Sequence, residues 1–134
     1  MPLVIDASVT MAWCFEDEMT PLADAILERL QQEVAVVPDL WHLEIANVLL
    51  VAGRKGRISE AHTERFLALL SQLPIETATA GIEVSSVLDL GRRYSLSAYD
   101  AEYLLLAQML GAELATLDQS LAAAGVATGL VVTS

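Results

Sequence analysis

Four acidic residues stand out by the company they keep. Asp6 closes the apolar run "LVID", Leu3–Asp6, and Glu44 lies inside the largely apolar stretch "DLWHLEIANVLL", Asp39–Leu50. Asp100 falls early in "SAYDAEYLLLAQMLGA", Ser97–Ala112, and Asp118 follows "ELAT", Glu113–Thr116, by two residues. Each has a plain explanation when taken alone. Glu44 could belong to a solvated stripe with Asn47, three residues on and hence on the same helical face. Asp100 and Asp118 could be there to cap a helix or favour its dipole. Asp6 is harder to explain this way, because an acid at the end of a buried strand adds little to solubility, and a carboxylate among apolar groups is costly unless something pairs with it. Brought to one place, the four would repel and could not all ionise without a cation. Their hard oxygens suit Mg²⁺ or Mn²⁺, and the chemistry this favours is metal-assisted hydrolysis of a phosphodiester. Ser8, Asn47 and Thr116 are neutral hydrogen-bonding residues near the same positions, able to orient carboxylates or waters.

Whether the acids meet depends on the elements that carry them. Leu3–Asp6 has the branched, apolar pattern of a buried parallel strand. Ser8 is placed to cap a short helix running towards Phe15. "TPLADAILERLQQE", Thr20–Glu33, opens with the Thr-Pro signature of a helix start. Val34–Val37 reads as a second strand stopped by Pro38, after which Asp39 caps a helix ending near Gly53. A helix over Ile58–Leu73 follows, with Ser59 as its cap and Phe66, Leu67 and Leu70 on its inner side. "IETA" is a weak strand, and "AGIEVSSVLDLGRRYSL" a helix diluted by β-branched residues. Ser97–Ala112 is a helix ended by Gly111, Glu113–Thr116 a strand, "DQSLAAAG" a short helix with Asp118 near its start, and Leu130–Thr133 a last strand. Strands alternating with helices predict βαβ units, right-handed crossovers and one α/β domain of three layers over residues 1–134. Ligands of such sheets bind beyond the carboxyl ends of the strands, which is where the acids fall.

The bulk properties narrow the function. At 134 residues the chain suffices for one domain. Its 54% hydrophobic content and mean hydropathy of +0.50 fit a sheet covered on both faces, with apolar surface left for a partner. No apolar run reaches the ~18 residues of a membrane span; the longest, Leu104–Ala112, is broken by Gln108. The start of the chain has no basic segment and soon meets Asp6, unlike a secretory signal, so a cytoplasmic protein is expected. Cys14 is the single cysteine, which excludes an internal disulfide or a multi-cysteine metal site and suits a small buried residue. The net charge of −11 is the wrong sign for a broad basic nucleic-acid surface, so any such role needs a local cluster, a bound cation or a basic partner. The basic residues do group, as Arg54, Lys55 and Arg57 and as Arg92 and Arg93. They can be read as cations at helix C-termini or as contacts to an RNA backbone. His42 and His62 are not needed for the chemistry. Trp13 and Trp41 could stack on bases but suit a core or interface. Glu102 lies about 200° round an ideal helix from Asp100, which makes it a weaker fifth acid.

In order, "VIDAS", "PDLWHLEIANVL", "LSAYDAEYLLLA" and "LATLDQSL" resemble the motif series of PIN-domain ribonucleases, and more narrowly of the VapC-like toxins of bacterial and archaeal toxin–antitoxin pairs. The resemblance covers essentially the whole chain. It implies a three-layer α/β/α PIN-like domain with a central parallel sheet and an acidic pocket that binds Mg²⁺ or Mn²⁺. The family's catalytic and metal-binding acids correspond to Asp6, Glu44, Asp100 and Asp118, and its accessory polar positions to Ser8, Asn47 and Thr116. It further implies a homodimer that cuts RNA and is held inactive by a cognate antitoxin. Two other readings compete with this one. A catalytically silent PIN-like module that only engages a protein partner would not need four repelling carboxylates. Other phosphate-handling α/β proteins fit less well: the sole lysine, Lys55, is on the wrong segment for a receiver-like site, and Ser8 stands where a haloacid-dehalogenase-like site wants a second Asp. Neither GxGxxG nor a P-loop is present.

Overall fold

A computed structural model describes residues 1–78 and 81–134. Strand β1 is Leu3–Ile5, followed by helix α1, Ala7–Ala12, a single 3-10 turn at Glu16–Glu18, and α2, Pro21–Arg29. Strand β2, Ala35–Pro38, leads into α3, Asp39–Arg54, and α4, Glu60–Gln72. Strand β3 is Ile75–Ala78, then come α5, Val84–Tyr94, and α6, Ala98–Leu110. The chain ends with β4, Glu113–Ala115, α7, Gln119–Ala127, and β5, Val132–Thr133.

All pairings in the sheet are parallel, in the order β3-β2-β1-β4-β5. The first strand is therefore the central one, and Leu3, Val4 and Ile5 are buried. From β1 the chain steps outward through β2 to β3, then crosses back to β4 and steps the other way to β5. Right-handed crossovers put the helices of the outward steps, α1–α4, on one face and α5–α7 on the other. The packing agrees, with α1 against α2 and α3, and α6 against β1, β2, β4, α5 and α7. This is the three-layer α/β architecture expected from the sequence. The chain reverses direction between β1 and β4, and at such a switch point the carboxyl ends of two adjacent strands leave a crevice.

Local chemistry explains most element ends. Thr20, Ser59, Ser97 and Asp118 each accept the amide three residues on, capping α2, α4, α6 and α7. Gly111 ends α6 in the left-handed conformation, at φ 58°. Four expectations need correction. Asp6, not Ser8, caps α1, because the Ser8 hydroxyl is bonded elsewhere. Helix α3 starts at Asp39 itself, with Pro38 at the cap and no capping side chain; Asp39 acts through the dipole. Leu67 is 48% exposed, because α4 turns the neighbouring Phe66 inward instead. Helix α5 begins at Val84, later than "AGIEV" suggested; Ala80, at the start of that stretch, lies outside the described residues. Among the described residues no helix is long and apolar enough to cross a membrane.

Candidate active site

Register builds the centre of the site. Ile5 pairs with Ala115, so the next residues, Asp6 and Thr116, leave the sheet side by side at the switch point. The Thr116 hydroxyl donates to Asp6 Oδ2 at 2.5 Å and accepts the Asp118 amide at 2.9 Å. The Ser8 hydroxyl donates to Asp6 Oδ1 at 2.6 Å and accepts the Leu117 amide at 3.0 Å. The Val9 amide adds a third bond to Asp6, at 3.1 Å. Two hydroxyls thus stitch the loop after β1 to the loop after β4, and both hold the same carboxylate. Asp6 is only 4% exposed. Burial raises its pKa above the ordinary value, its three hydrogen bonds lower it, and the Asp118 carboxylate raises it further.

The other acids come from helices that start at the same edge. The buried stripe Trp41, Ile45, Leu49 and Ala52 fixes how α3 sits. Trp41 donates its indole N–H to Thr10 Oγ1 at 3.0 Å, and Thr10 in turn donates to the Asp6 carbonyl at 3.0 Å. That relay ties α3 to the β1–α1 junction and brings Glu44, three residues after Trp41, to the site. The Tyr103 hydroxyl donates to Glu44 Oε1 at 2.6 Å. Burial raises the Glu44 pKa, the bond from Tyr103 lowers it and the Asp6 charge raises it. Asp100 sits in the first turn of α6, and its pKa is pushed up to about 6 by burial, then by the charges of Asp118, Asp6 and Glu44. Asp118 accepts the Leu121 amide at 2.8 Å as the cap of α7. The Glu102 carboxyl is raised by burial, then by Asp39 and Glu44, which puts it at the margin of the same field.

Asp100 therefore feels the other three acids at once, and no salt bridge among the described residues joins any of the four to a cation. Among those residues no three acidic, imidazole or thiol groups form a ready-made metal cage. The four acids share an electrostatic field rather than a closed coordination shell. As a donor set they still fit a hard divalent ion: all are carboxylates, they are mutually repelling, and no cationic side chain pairs with them among the described residues.

The remaining candidates are placed as follows. Ser8 and Thr116 touch Asp6, whereas Asn47 is exposed and no hydrogen bond among the described residues ties it to the acids. Arg54, Arg92 and Arg93 lie in last turns of helices and Lys55 caps α3. Arg93 pairs with Asp89, and Arg57 pairs with Asp17 and Glu18 while lying 3.9 Å over the Phe15 ring. His42 bonds Thr77, and His62 bonds the carbonyl of Cys14, itself buried. Trp13 and Trp41 are both buried. Sequence reading passed over Tyr103 and Thr10. Tyr103 carried two signs, its place in "LSAYDAEYLLLA" and its spacing three residues after Asp100 on one helix face, but neither gave it a role; Thr10 gave no sign.

Residues 3–127 match the PIN domain family. Over 124 residues the chain is 28% identical to Ribonuclease VapC3 of Pyrobaculum aerophilum, covering 91% of this chain and 93% of that protein. Among solved structures it is similar to PAE2754 from Pyrobaculum aerophilum, with a TM-score of 0.75 and 22% identity over 98% of this chain and 89% of that one. It also resembles FitAcB from Neisseria gonorrhoeae, with a TM-score of 0.61 and 16% identity over 98% and 96% of the two chains. At these identities the two structures speak to the fold.

Proposed function

Because the chain belongs to the PIN-domain family, we propose that residues 1–134 form a single PIN domain acting as a Mg²⁺- or Mn²⁺-dependent endoribonuclease, a cytoplasmic toxin of the VapC type. The relative named as a ribonuclease, VapC3, supports the reaction class. The observation that carries the reading is the convergence of four carboxylates at the carboxyl edge of the sheet, none joined to a cation by a salt bridge among the described residues; there burial, and then the charges of Asp118, Asp6 and Glu44, push the Asp100 carboxyl up to about 6.

Asp6, Glu44, Asp100 and Asp118 are the residues that would hold the metal, which when bound supplies an activated water and offsets charge on the attacked phosphate. The rest of the work belongs to the chain. Ser8, Thr116 and the Val9 amide fix Asp6 before any ligand arrives. The Leu121 amide fixes one oxygen of Asp118. Preformed positions of this kind spare the reorganisation a flexible site would need. Asp100, whose carboxyl burial and then neighbouring acids push up to about 6, would give up its proton to help hold the cation.

Partners are part of the proposal. Leu43, Val84, Leu88 and Tyr99 are exposed apolar residues, and an open apolar cavity of about 570 Å³ lies between α5 and α6. Such surface supports a homodimer and an antitoxin that covers part of it. Arg54, Lys55 and Arg92 have no salt bridge among the described residues and remain candidates to meet the RNA backbone, with Arg93 and Arg57 already paired to acids.

The test is cleavage of a mixed pool of cellular RNA by purified protein, with Mn²⁺ and with EDTA, beside Asp6→Asn. Cutting that needs Mn²⁺ and is lost in the variant is the expected result. Cutting that persists in EDTA or in Asp6→Asn would overturn the site. No cutting and no metal binding by the wild type would favour a partner-binding module instead.

A further inference from the structure

Two of the acids are held at the carboxylate by neighbouring donors, Asp6 by two hydroxyls and an amide and Asp118 by the Leu121 amide, while Asp100 is fixed through its own backbone amide, which donates to Ser97. Glu44 is different. It projects from the second turn of α3 on a side chain with three rotatable bonds, and its hydrogen bond comes from Tyr103, 59 residues away on α6. Helices α3 and α6 lie on opposite faces of the sheet, so this bond spans its carboxyl edge.

Tyr103 is 1% exposed and is among the largest fully buried side chains. A phenylalanine would fill the same space without burying a hydroxyl, which is unfavourable unless the hydroxyl has a partner. Its partner here is a carboxylate at 2.6 Å, the short length of a charge-assisted bond. Tyr103 also lies three residues after Asp100, hence on the same face of α6.

We propose that Tyr103 is a positioning residue for the acid site: its phenol holds Glu44 by Oε1 and leaves Oε2 as the oxygen open to a divalent cation. This rests on the metal-dependent reading above. The phenol acts through Glu44: it removes the freedom of an acid whose carboxylate no backbone amide holds. Trp41 fixes the helix and Tyr103 fixes the side chain.

The experiment is calorimetric titration of the full chain with Mn²⁺, comparing wild type, Tyr103→Phe, Glu44→Gln and the double variant, with metal-free melting followed in parallel. Tyr103→Phe should keep its fold and lose about 10-fold in Mn²⁺ affinity, the usual scale for a residue that orients a ligand. In the Glu44→Gln background the same change should cost no further affinity. With RNA, Tyr103→Phe should lower kcat and leave KM unchanged. Wild-type affinity retained in Tyr103→Phe would overturn this inference alone, as would an equal loss in both backgrounds, the mark of a general packing defect. A wild type that binds no Mn²⁺ would overturn the metal reading and this inference together.

Discussion

At the scale of single residues, the most informative contact is the hydroxyl of Thr116. It is fully buried, donates to Asp6 and accepts from the Asp118 amide, so one atom serves two of the four acids. Thr116→Val keeps the shape and leaves two buried polar groups unpaired, which should cost about 2–3 kcal/mol. Urea denaturation at neutral pH measures it, and RNA cleavage should fall about 10-fold or more. Asp100 makes a prediction about pH. Its folded pKa, about 6, lies above the ordinary 3.8, so between these values the folded protein binds more protons than the unfolded one. Metal-free stability from this group is accordingly lost as pH rises through that window and levels off above it. Asp100→Asn should flatten the slope and leave the variant more stable than wild type above about pH 6, read as melting temperature against pH in EDTA. A variant with the wild-type slope would show that Asp100 is not the responsible group. The acids were legible because a charge inside an apolar run is conspicuous. Tyr103 was not, since on a helix rich in leucine a phenol looks like any other core ring. Asn47 was read from helical spacing and from the family resemblance, and neither says what that helix face meets.

Elements carry these residues to the edge, and most of their ends were legible where a cap had one candidate, Asp39 being the exception because it is already the first residue of α3. Thr20-Pro21, Ser59, Ser97 and Gly111 all mark ends in the structure. The start of α1 was misread because Asp6 and Ser8 are both good caps two residues apart, and the six-residue helix is too short for periodicity to choose. Helix α7 shows how tightly an element can be bound. A Cβ on Gly125 would lie 2.7 Å from Val132 Cγ2 and 3.3 Å from Leu114 Cδ2. Gly125→Ala gains about 1 kcal/mol of helix propensity, but overpacking against β4 and β5 costs ~1–3 kcal/mol. The expected outcome is a net loss of stability in chemical denaturation. Because Asp118 caps α7, the forced shift should also weaken Mn²⁺ binding; full-strength binding in a destabilised variant would separate α7 packing from the site.

For the molecule as a whole, alternation along the sequence foretold a parallel sheet but not its strand order, which depends on pairings between distant segments. Cations and assembly act at this scale. Mn²⁺ at about 100 times its dissociation constant should add ~2.7 kcal/mol to stability, visible as a raised melting temperature that Asp6→Asn abolishes. Light scattering of a dilute, antitoxin-free sample should report a dimer; a stable monomer would remove that part of the proposal. The strand order also sets a timetable. β1, made first, lies at the centre of the sheet, and its register with β4 joins Asp6 to Thr116. While the ribosome extends the chain, Asp6 and Glu44 emerge early and wait, unable to form a site until β4 and Asp118 have cleared the exit tunnel. The four acids can therefore meet only after every residue from Asp6 to Asp118 has been made and β4 has paired with β1.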